Sequence, residues 1–402
     1  MEKLLLILVI ILAVVGIAQI AKVYQLSISI GNKREEEISP ASNRFNANLM
    51  IVFMVVLFAF FIWLLIAYKH VFLPVAASQH GRDLDMLMNF NWVILFIVFF
   101  GVNFLLFYFS YKYRFDPNRK AYYFAHNNKL ELIWTVIPSI TLAIIIIYGL
   151  RTWNEITAYE LVEDGLVVEL FARQFDWTAR YPGDDEVLGD YNFTLTTGQN
   201  PLGVITNENI PERIAELEEE ISKNENLLAT SILPDKKVKE INEKIGMRKR
   251  QLAKIVGFKE SGKDFSASDD DIVVRGEFHI PVNREVRFSI RAGDVIHSAF
   301  MPHFRAQMNA VPGMTTYFKF TPTITTDSMR TIVGDPDFHY ILLCNKVCGS
   351  AHYNMQMNIV VDTEEDYERW LVNQKTFAAT QMGEVKVKPS GKLEENSRLA
   401  EK

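Results

Sequence analysis

The chain of 402 residues has two cysteines, and both stand in Cys344-Asn345-Lys346-Val347-Cys348-Gly349-Ser350-Ala351-His352-Tyr353-Asn354-Met355. Two thiols, an imidazole and a thioether within twelve residues make a ligand set. Soft sulfur donors with imidazole select copper over magnesium, calcium or manganese, and an axial methionine separates copper electron-transfer sites from zinc sites. Such ligands need a rigid frame. Phe338 to Leu343 before the segment and Met357 to Val361 after it read as buried strands, so the donors fall on the loop between them. A further donor has to come from elsewhere. His297, in Asp294-Val295-Ile296-His297-Ser298 at the end of the strand Val286 to Ile290, is the candidate.

Other chemistries use some of the same residues. Two cysteines in an exported domain could form a disulfide, which leaves His352 and Met355 at these offsets as coincidence. A tetrahedral zinc site does not call for methionine. His303 and His339 flank the set and read as ordinary half-buried or surface histidines.

The pattern C-x3-C-x3-H-x2-M after an upstream D-V-x-H-S resembles subunit II of the haem-copper cytochrome c oxidases, over most of residues 92 to 370. The resemblance implies a cupredoxin-like β-sandwich. It also implies two copper ions bridged by the thiolates of Cys344 and Cys348, with His297 and His352 as terminal imidazoles and Met355 and the Lys346 carbonyl completing the set. The implied partners are oxidase subunit I, other oxidase subunits and a c-type cytochrome donor. The implied activity is that of the electron-transfer subunit in reduction of oxygen to water, with the oxygen chemistry in subunit I.

Apolar residues make up 49% of the chain and aromatic ones 12%, a rich content for a purely soluble protein. The excess lies in four uncharged runs, at about residues 4–21, 49–68, 92–111 and 132–150. Each is long enough to cross a hydrocarbon core of about 30 Å. Lys22, Lys33, Arg34 and Arg44 lie between the first and second runs, and Lys112, Arg114, Arg119, Lys120 and Lys129 between the third and fourth. The positive-inside rule makes both loops cytoplasmic, so both chain ends and everything after Leu150 lie outside. A cleaved signal peptide is the alternative for the first run, although no small-x-small site precedes Lys22. The expected location is an energy-transducing membrane, a bacterial inner membrane with the copper domain on its periplasmic face. A net charge of −6 argues against nucleic acid as a partner.

The whole reads as an α+β membrane protein: transmembrane helices over 1–152, a copper domain over 160–362, a helix over 363–382 and a disordered tail over 383–402. Glu131 opens the fourth run in Glu131-Leu132-Ile133-Trp134, which resembles the family's second-helix entrance, where the matching glutamate stands at a proton pathway. Locally, a carboxylate that complements a helix N-terminus explains it equally well. After Trp153 the pattern alternates: Val167, Glu169, Phe171, Arg173, Phe175 and Trp177 share one parity, as in a strand with one covered face. Tyr191 to Leu195 resumes that pattern. Residues 211–256 interrupt it with two amphipathic helices, the first acidic and the second basic, which predicts an antiparallel hairpin absent from the family. Ser266 to Asp271 reads as a polar linker, and Thr363-Glu364-Glu365-Asp366 as a capping box.

Two positions depart from the family. Phe175, in Gln174-Phe175-Asp176-Trp177, stands where a tryptophan usually receives the donor's electron, so Phe175 and Trp177 are both candidates for that role. Lys346 stands where a glutamate usually helps form a magnesium site with subunit I, and the lysine removes that carboxylate. The missing indole and the helical hairpin together suggest a tethered donor. Asp294, Asp184 and Asp185 offer the alternative, a modest acidic patch for a soluble basic cytochrome. Two other functional classes remain: a membrane-anchored copper carrier, which would need exposed, exchangeable ligands, and a copper-free quinol oxidase homologue, which would not need the ligand set.

Overall fold

The computed structural model describes residues 2–30, 39–120, 122–160, 162 and 164–382; the predicted tail at 383–402 lies outside the described residues. The first four helices are α1 (Glu2–Ile30), α2 (Pro40–Tyr68), α3 (Gln79–Lys112) and α4 (Asn128–Ile156). They outrun the predicted apolar runs because their ends carry polar turns. Ser39 accepts from the Ser42 N–H at 3.2 Å, with Pro40 in the first turn of α2. Pro40–Val71, Gln79–Lys112 and Asn128–Ile156 are long and apolar enough to cross a membrane. Most of their large apolar side chains are exposed, as contact with lipid requires. Of the first run, the described side chains form the shorter apolar stretch Leu12–Ser27.

The chain divides into two compact units, Met1–Leu73 with Phe90–Ile137, and Pro74–Asn89 with Pro138–Lys402. In the first, α2 packs on α3 through phenylalanines: Phe58 meets Phe100 at 4.8 Å between ring centroids and Phe61 meets Phe99 at 4.9 Å.

The second unit is a β-sandwich. Its strands are β1 (Leu166–Arg173), β2 (Asp176–Tyr181), β3 (Ile272–Arg275), β4 (Glu277–Pro281), β5 (Val286–Ala292), β6 (His297–Met301), β7 (Ala306–Ala310), β8 (Thr316–Phe320), β9 (Tyr340–Cys344) and β10 (Gln356–Asp362). They form two five-stranded sheets, ordered β3-β2-β1-β5-β8 and β4-β10-β9-β6-β7. Two pairings are parallel, β1 with β5 (Leu166 opposite Val286) and β4 with β10 (Val361 opposite Ile280). Between the sheets lie Val168, Leu170, Trp177, Phe278, Phe288, Phe304, Tyr340, Leu342 and Ile359, all buried.

The segment before α3 belongs to this unit. The Ala77 N–H donates to the His303 carbonyl at 2.7 Å, the Thr323 N–H to the Ala77 carbonyl at 2.8 Å, and the Ser78 hydroxyl to the Phe304 carbonyl at 2.7 Å. Arg305 adds a two-pronged ion pair to Asp85, at 2.9 and 3.0 Å.

Several sequence expectations are corrected. β1 ends at Arg173 and β2 begins at Asp176, so a tight turn reverses the chain at Gln174 and Phe175, and Trp177 does not continue the parity of Glu169. Both faces of β1 are covered: Leu166, Val168, Leu170 and Ala172 face the sandwich core, while Phe171 packs with Leu202, Val204 and Phe377. Residues 191–195 form no strand, only a bridge from Tyr191 to Val204 and a short 3-10 turn. Ser266 to Asp271 is no solvated linker, since Ser268 and Asp271 are fully buried.

Asp271 is buried because it joins an ion cluster under the Leu202 segment. Glu169 accepts from Arg180 (Nη2, 2.9 Å) and Arg291 (Nη2, 2.7 Å), and Arg180 reaches Asp271 at 2.7 Å. Burial opposes the Glu169 charge, but the two guanidiniums prevail and hold its pKa at about 2.

The predicted hairpin is present as α5 (Asn209–Thr230) and α6 (Asp235–Glu260). Ile221, Ile241 and Ile245 pack along its seam, and Leu195, Ile205, Leu217, Ile255 and Phe265 close its base. Arg248 pairs with Glu220 at 2.7 Å and Lys249 with Glu225 at 2.8 Å, the acidic-to-basic match expected of the two arms. After α7 (Thr326–Val333) and β10, the predicted 363–382 helix is two helices, α8 (Glu364–Val372) and α9 (Phe377–Met382). Thr376 bridges to Ile272 and the Phe377 N–H donates to the Asp271 carbonyl, so the chain extends between them to reach β3.

Candidate metal centre

β9 ends on Cys344, the chain loops through residues 345–351, makes a 3-10 turn at His352–Asn354, and returns as β10. The two strands pair antiparallel with Gln356 opposite Leu343, and the loop closes where the Cys344 N–H donates to the Met355 carbonyl at 3.0 Å. β6 pairs on the other side of β9, Ala299 opposite Cys344. The Asn345 N–H donates to the Ser298 carbonyl at 3.0 Å, which extends that pairing beyond the strand end and brings His297 beside the loop.

The six groups singled out from the sequence converge. The Cys344 and Cys348 Sγ atoms are 3.8 Å apart. His297 Nδ1 is 3.8 Å from Cys344 Sγ, and His352 Nδ1 is 3.6 Å from Cys348 Sγ. Met355 Sδ lies 3.8 Å from Cys348 Sγ, and the Lys346 carbonyl oxygen 3.2 Å from Cys344 Sγ. Donors bound at about 2.0–2.3 Å around a tetrahedral metal stand about 3.5 Å from one another, so these spacings suit metal-bound donors. Both thiols are free, and His297, Cys344, Cys348 and Met355 are buried. Burial, then the hydrogen bond and charge of Cys344, raise the Cys348 thiol to about 11. Loading a metal must therefore release thiol protons.

The surroundings fix the ligand orientations. Asp294 Oδ1 lies 2.9 Å from His297 Nε2, which leaves Nδ1 facing the thiols. Burial works against the Asp294 charge, but hydrogen bonds from His297 and the main-chain N–H groups of Gln174 and Val295 hold its pKa below the ordinary value. That carboxylate keeps its charge and shares it with His297 and two main-chain N–H groups. Trp177 is fully buried beneath the site, its ring edge-on to His297 at 6.2 Å, whereas Phe175 is partly buried at the β1–β2 turn. A Cβ on Gly349 would fall 2.8 Å from the Phe175 ring, and with φ of 144° that position requires glycine.

Glu131 lies in the first turn of α4, in the other unit. His303 packs against Phe338 and Tyr340 at 5.1 and 5.3 Å and takes no part in the cluster. Sequence reading missed the role of Gln174 beside the ligands, since its partners there are more than a hundred residues away. The D-V-x-H spacing was the available signal for Asp294.

Two family descriptions match the chain: "Cytochrome C oxidase subunit II, transmembrane domain" over residues 67–152 and "Cytochrome C oxidase subunit II, periplasmic domain" over residues 263–363. The first spans α3 and most of α4, the second β3 through β10, and the α5–α6 hairpin falls between them. The alternative cytochrome c oxidase subunit 2 of Bradyrhizobium diazoefficiens is 27% identical over 295 residues, covering 73% of this chain and 81% of its own length. Cytochrome c oxidase subunit 2 of Thermostichus vulcanus is 25% identical over 310 residues, covering 76% of this chain and 79% of its own length. For that of Cereibacter sphaeroides the figures are 24% over 301 residues, 74% and 76%. With both domain descriptions matched in order and these relatives aligned across them, the chain belongs to the cytochrome c oxidase subunit II family.

Proposed function

We propose that this chain receives electrons from a c-type cytochrome at a dinuclear copper centre and passes them to haem in subunit I of a terminal oxidase, where oxygen is reduced to water. One observation carries the reading: two thiols 3.8 Å apart, each with its own imidazole within 3.8 Å, and a thioether and a carbonyl at the two ends. Two thiolates between two metal positions suit bridging, and the sulfur-rich donors with imidazole suit copper. When bound, such a pair shares one unpaired electron, so its bonds change little on oxidation or reduction. The protein's part is to hold His297, His352 and the two thiols in place through both redox states, which the β6–β9–β10 hydrogen bonds support. The burial of four donor side chains speaks against a carrier that exchanges its metal freely.

Metal analysis with electron paramagnetic resonance of the oxidised full chain tests the reading. Two coppers per chain and a mixed-valence signal are expected; one copper, or a mononuclear signal, would overturn it.

The same reading covers the membrane part. Four spans with both ends outside fit the basic loops, and the docking of residues 74–89 on the sandwich supports it, since a loop and a domain joined by hydrogen bonds share one side. A bacterial inner membrane with the sandwich on the periplasmic face follows. Lys346 offers no carboxylate for a magnesium ion shared with subunit I. The phenylalanine at 175 and the helical hairpin favour a tethered donor, for which a high effective concentration replaces charge steering. Phe175, at the turn above the ligand loop, is the side chain proposed to receive the electron, with Trp177 behind it. Glu131 is proposed to open a proton path in subunit I.

A further inference from the structure

We propose that Gln174 is a positioning residue that ties the two ligand-bearing loops of the copper centre to each other. The inference rests on the copper reading above.

Gln174 sits at the turn between β1 and β2, in one sheet, while the ligands hang from β6, β9 and β10 in the other. It donates twice. Its side-chain Nε2 donates to the carbonyl of Cys348 at 2.5 Å, and its main-chain N–H donates to Asp294 Oδ2 at 2.7 Å. The other oxygen of Asp294 holds His297 Nε2 at 2.9 Å. A single residue thus restrains the main chain at one bridging thiol and, through one carboxylate, the imidazole that faces the other thiol.

The fit is close enough to dictate a neighbour. A Cβ on Gly349 would stand 2.8 Å from Gln174 Nε2, so the glycine lets the amide approach the loop. Around Cys348 the loop has few other restraints: its main-chain hydrogen bonds lie at its two ends, Cys344 to Met355 and Asn345 to Ser298, and in the turn at His352. The amide of Gln174 therefore supplies the cross-brace in the middle of the loop. Outer partners of metal ligands typically alter metal affinity about 10- to 100-fold.

The test uses the assembled oxidase carrying Gln174→Ala or Gln174→Glu, the second of equal reach but without the donor. Both keep the main-chain N–H to Asp294. Copper loss from the reduced complex to an excess of a Cu(I) chelator is timed, and the reduction potential and paramagnetic signal of the centre are recorded. Both variants should still bind two coppers, lose them about tenfold faster, and show a shifted potential and altered hyperfine pattern. Asn200→Ala serves as the comparison, because Asn200 braces Val204 in the same domain away from the ligands. Wild-type copper loss and potential in both Gln174 variants would overturn the proposal. So would equally accelerated loss in Asn200→Ala, which would assign the effect to general stability. A wild-type complex without copper would instead defeat the copper reading itself.

Discussion

Replacing Glu169 by glutamine should destabilise the sandwich far more than the loss of one surface charge would. Glu169 accepts four hydrogen bonds, two each from Arg180 and Arg291, at 2.7 to 3.2 Å, and all three side chains are less than a tenth exposed. With Asp271, whose burial raises its pKa to about 7, the cluster sets two carboxyl groups against two guanidiniums, so the substitution leaves at least one buried positive charge without a counterion. Removing one partner of a buried pair costs about 3–5 kcal/mol. For a domain of this size each kcal/mol moves the melting temperature by about 2–4 °C, which gives a fall of roughly 6–20 °C. The assay is thermal unfolding of the purified full chain in detergent, followed by near-ultraviolet circular dichroism, which reports on buried Trp177. Adding Arg291→Met restores the charge balance, so the double variant should melt above the sum of the two single losses. A drop under about 2 °C in the single variant, or strict additivity in the double, would refute the claim that the cluster is a charge-coupled unit. The sign with pH follows from the low folded pKa of about 2: this contribution is present above the ordinary carboxylate value of 4.5 and is lost as pH falls toward 2.

Three further outcomes are expected. Burial, reinforced by the Arg305 charge, lowers the His303 pKa from 6.5 to about 4, so stability held above pH 6.5 should fall as pH drops toward 4; His303→Phe should flatten that slope in acid-unfolding curves. Gly349→Ala should weaken copper retention by at least about tenfold in chelator competition, because its Cβ would press on the Gln174 amide and the Phe175 ring, and should also lower the melting temperature, because alanine disfavours the φ of 144° there. Arg305→Ala should cost about 1–3 kcal/mol, read by thermal unfolding, because it unpairs Asp85 and removes donors to the Pro74 and Pro302 carbonyls.

The ligand cluster was legible because its donors are spaced closely and are of rare types. Cys344, Cys348, His352 and Met355 share one loop, and only His297 had to be placed from a distance. The membrane helices were legible for the same local reason, a long uncharged run. What the sequence hid was pairing across distance. Glu169 shares its parity with Val167 and Phe171, and nothing local shows that both faces of the strand are covered, this one by residues 202–204 and Phe377. Ser266 to Asp271 has the composition of a linker, yet the guanidinium of Arg180 draws Asp271 inside. Gln174 looks like any polar turn residue, because nothing local reports that its amide meets a carbonyl 174 positions later.

The two parallel pairings set an order of events for making this protein. β1 waits for β5, more than a hundred residues later, and β4 waits for β10, so the first sheet is complete only at β8 and the second only at β10. The metal-binding corner needs the turn at 174, the strand at 297 and the loop at 344–355 at once. On the proposed reading, copper therefore meets a finished pocket late in maturation and not a nascent chain. The α5–α6 hairpin lengthens the wait very little, since doubling a loop adds only about 0.6 kcal/mol to its closure, and its arms pack on each other through a seam of their own. Biogenesis can thus tolerate a large addition between the second and third strands, while a small change near the last strand would leave the metal with no site to enter.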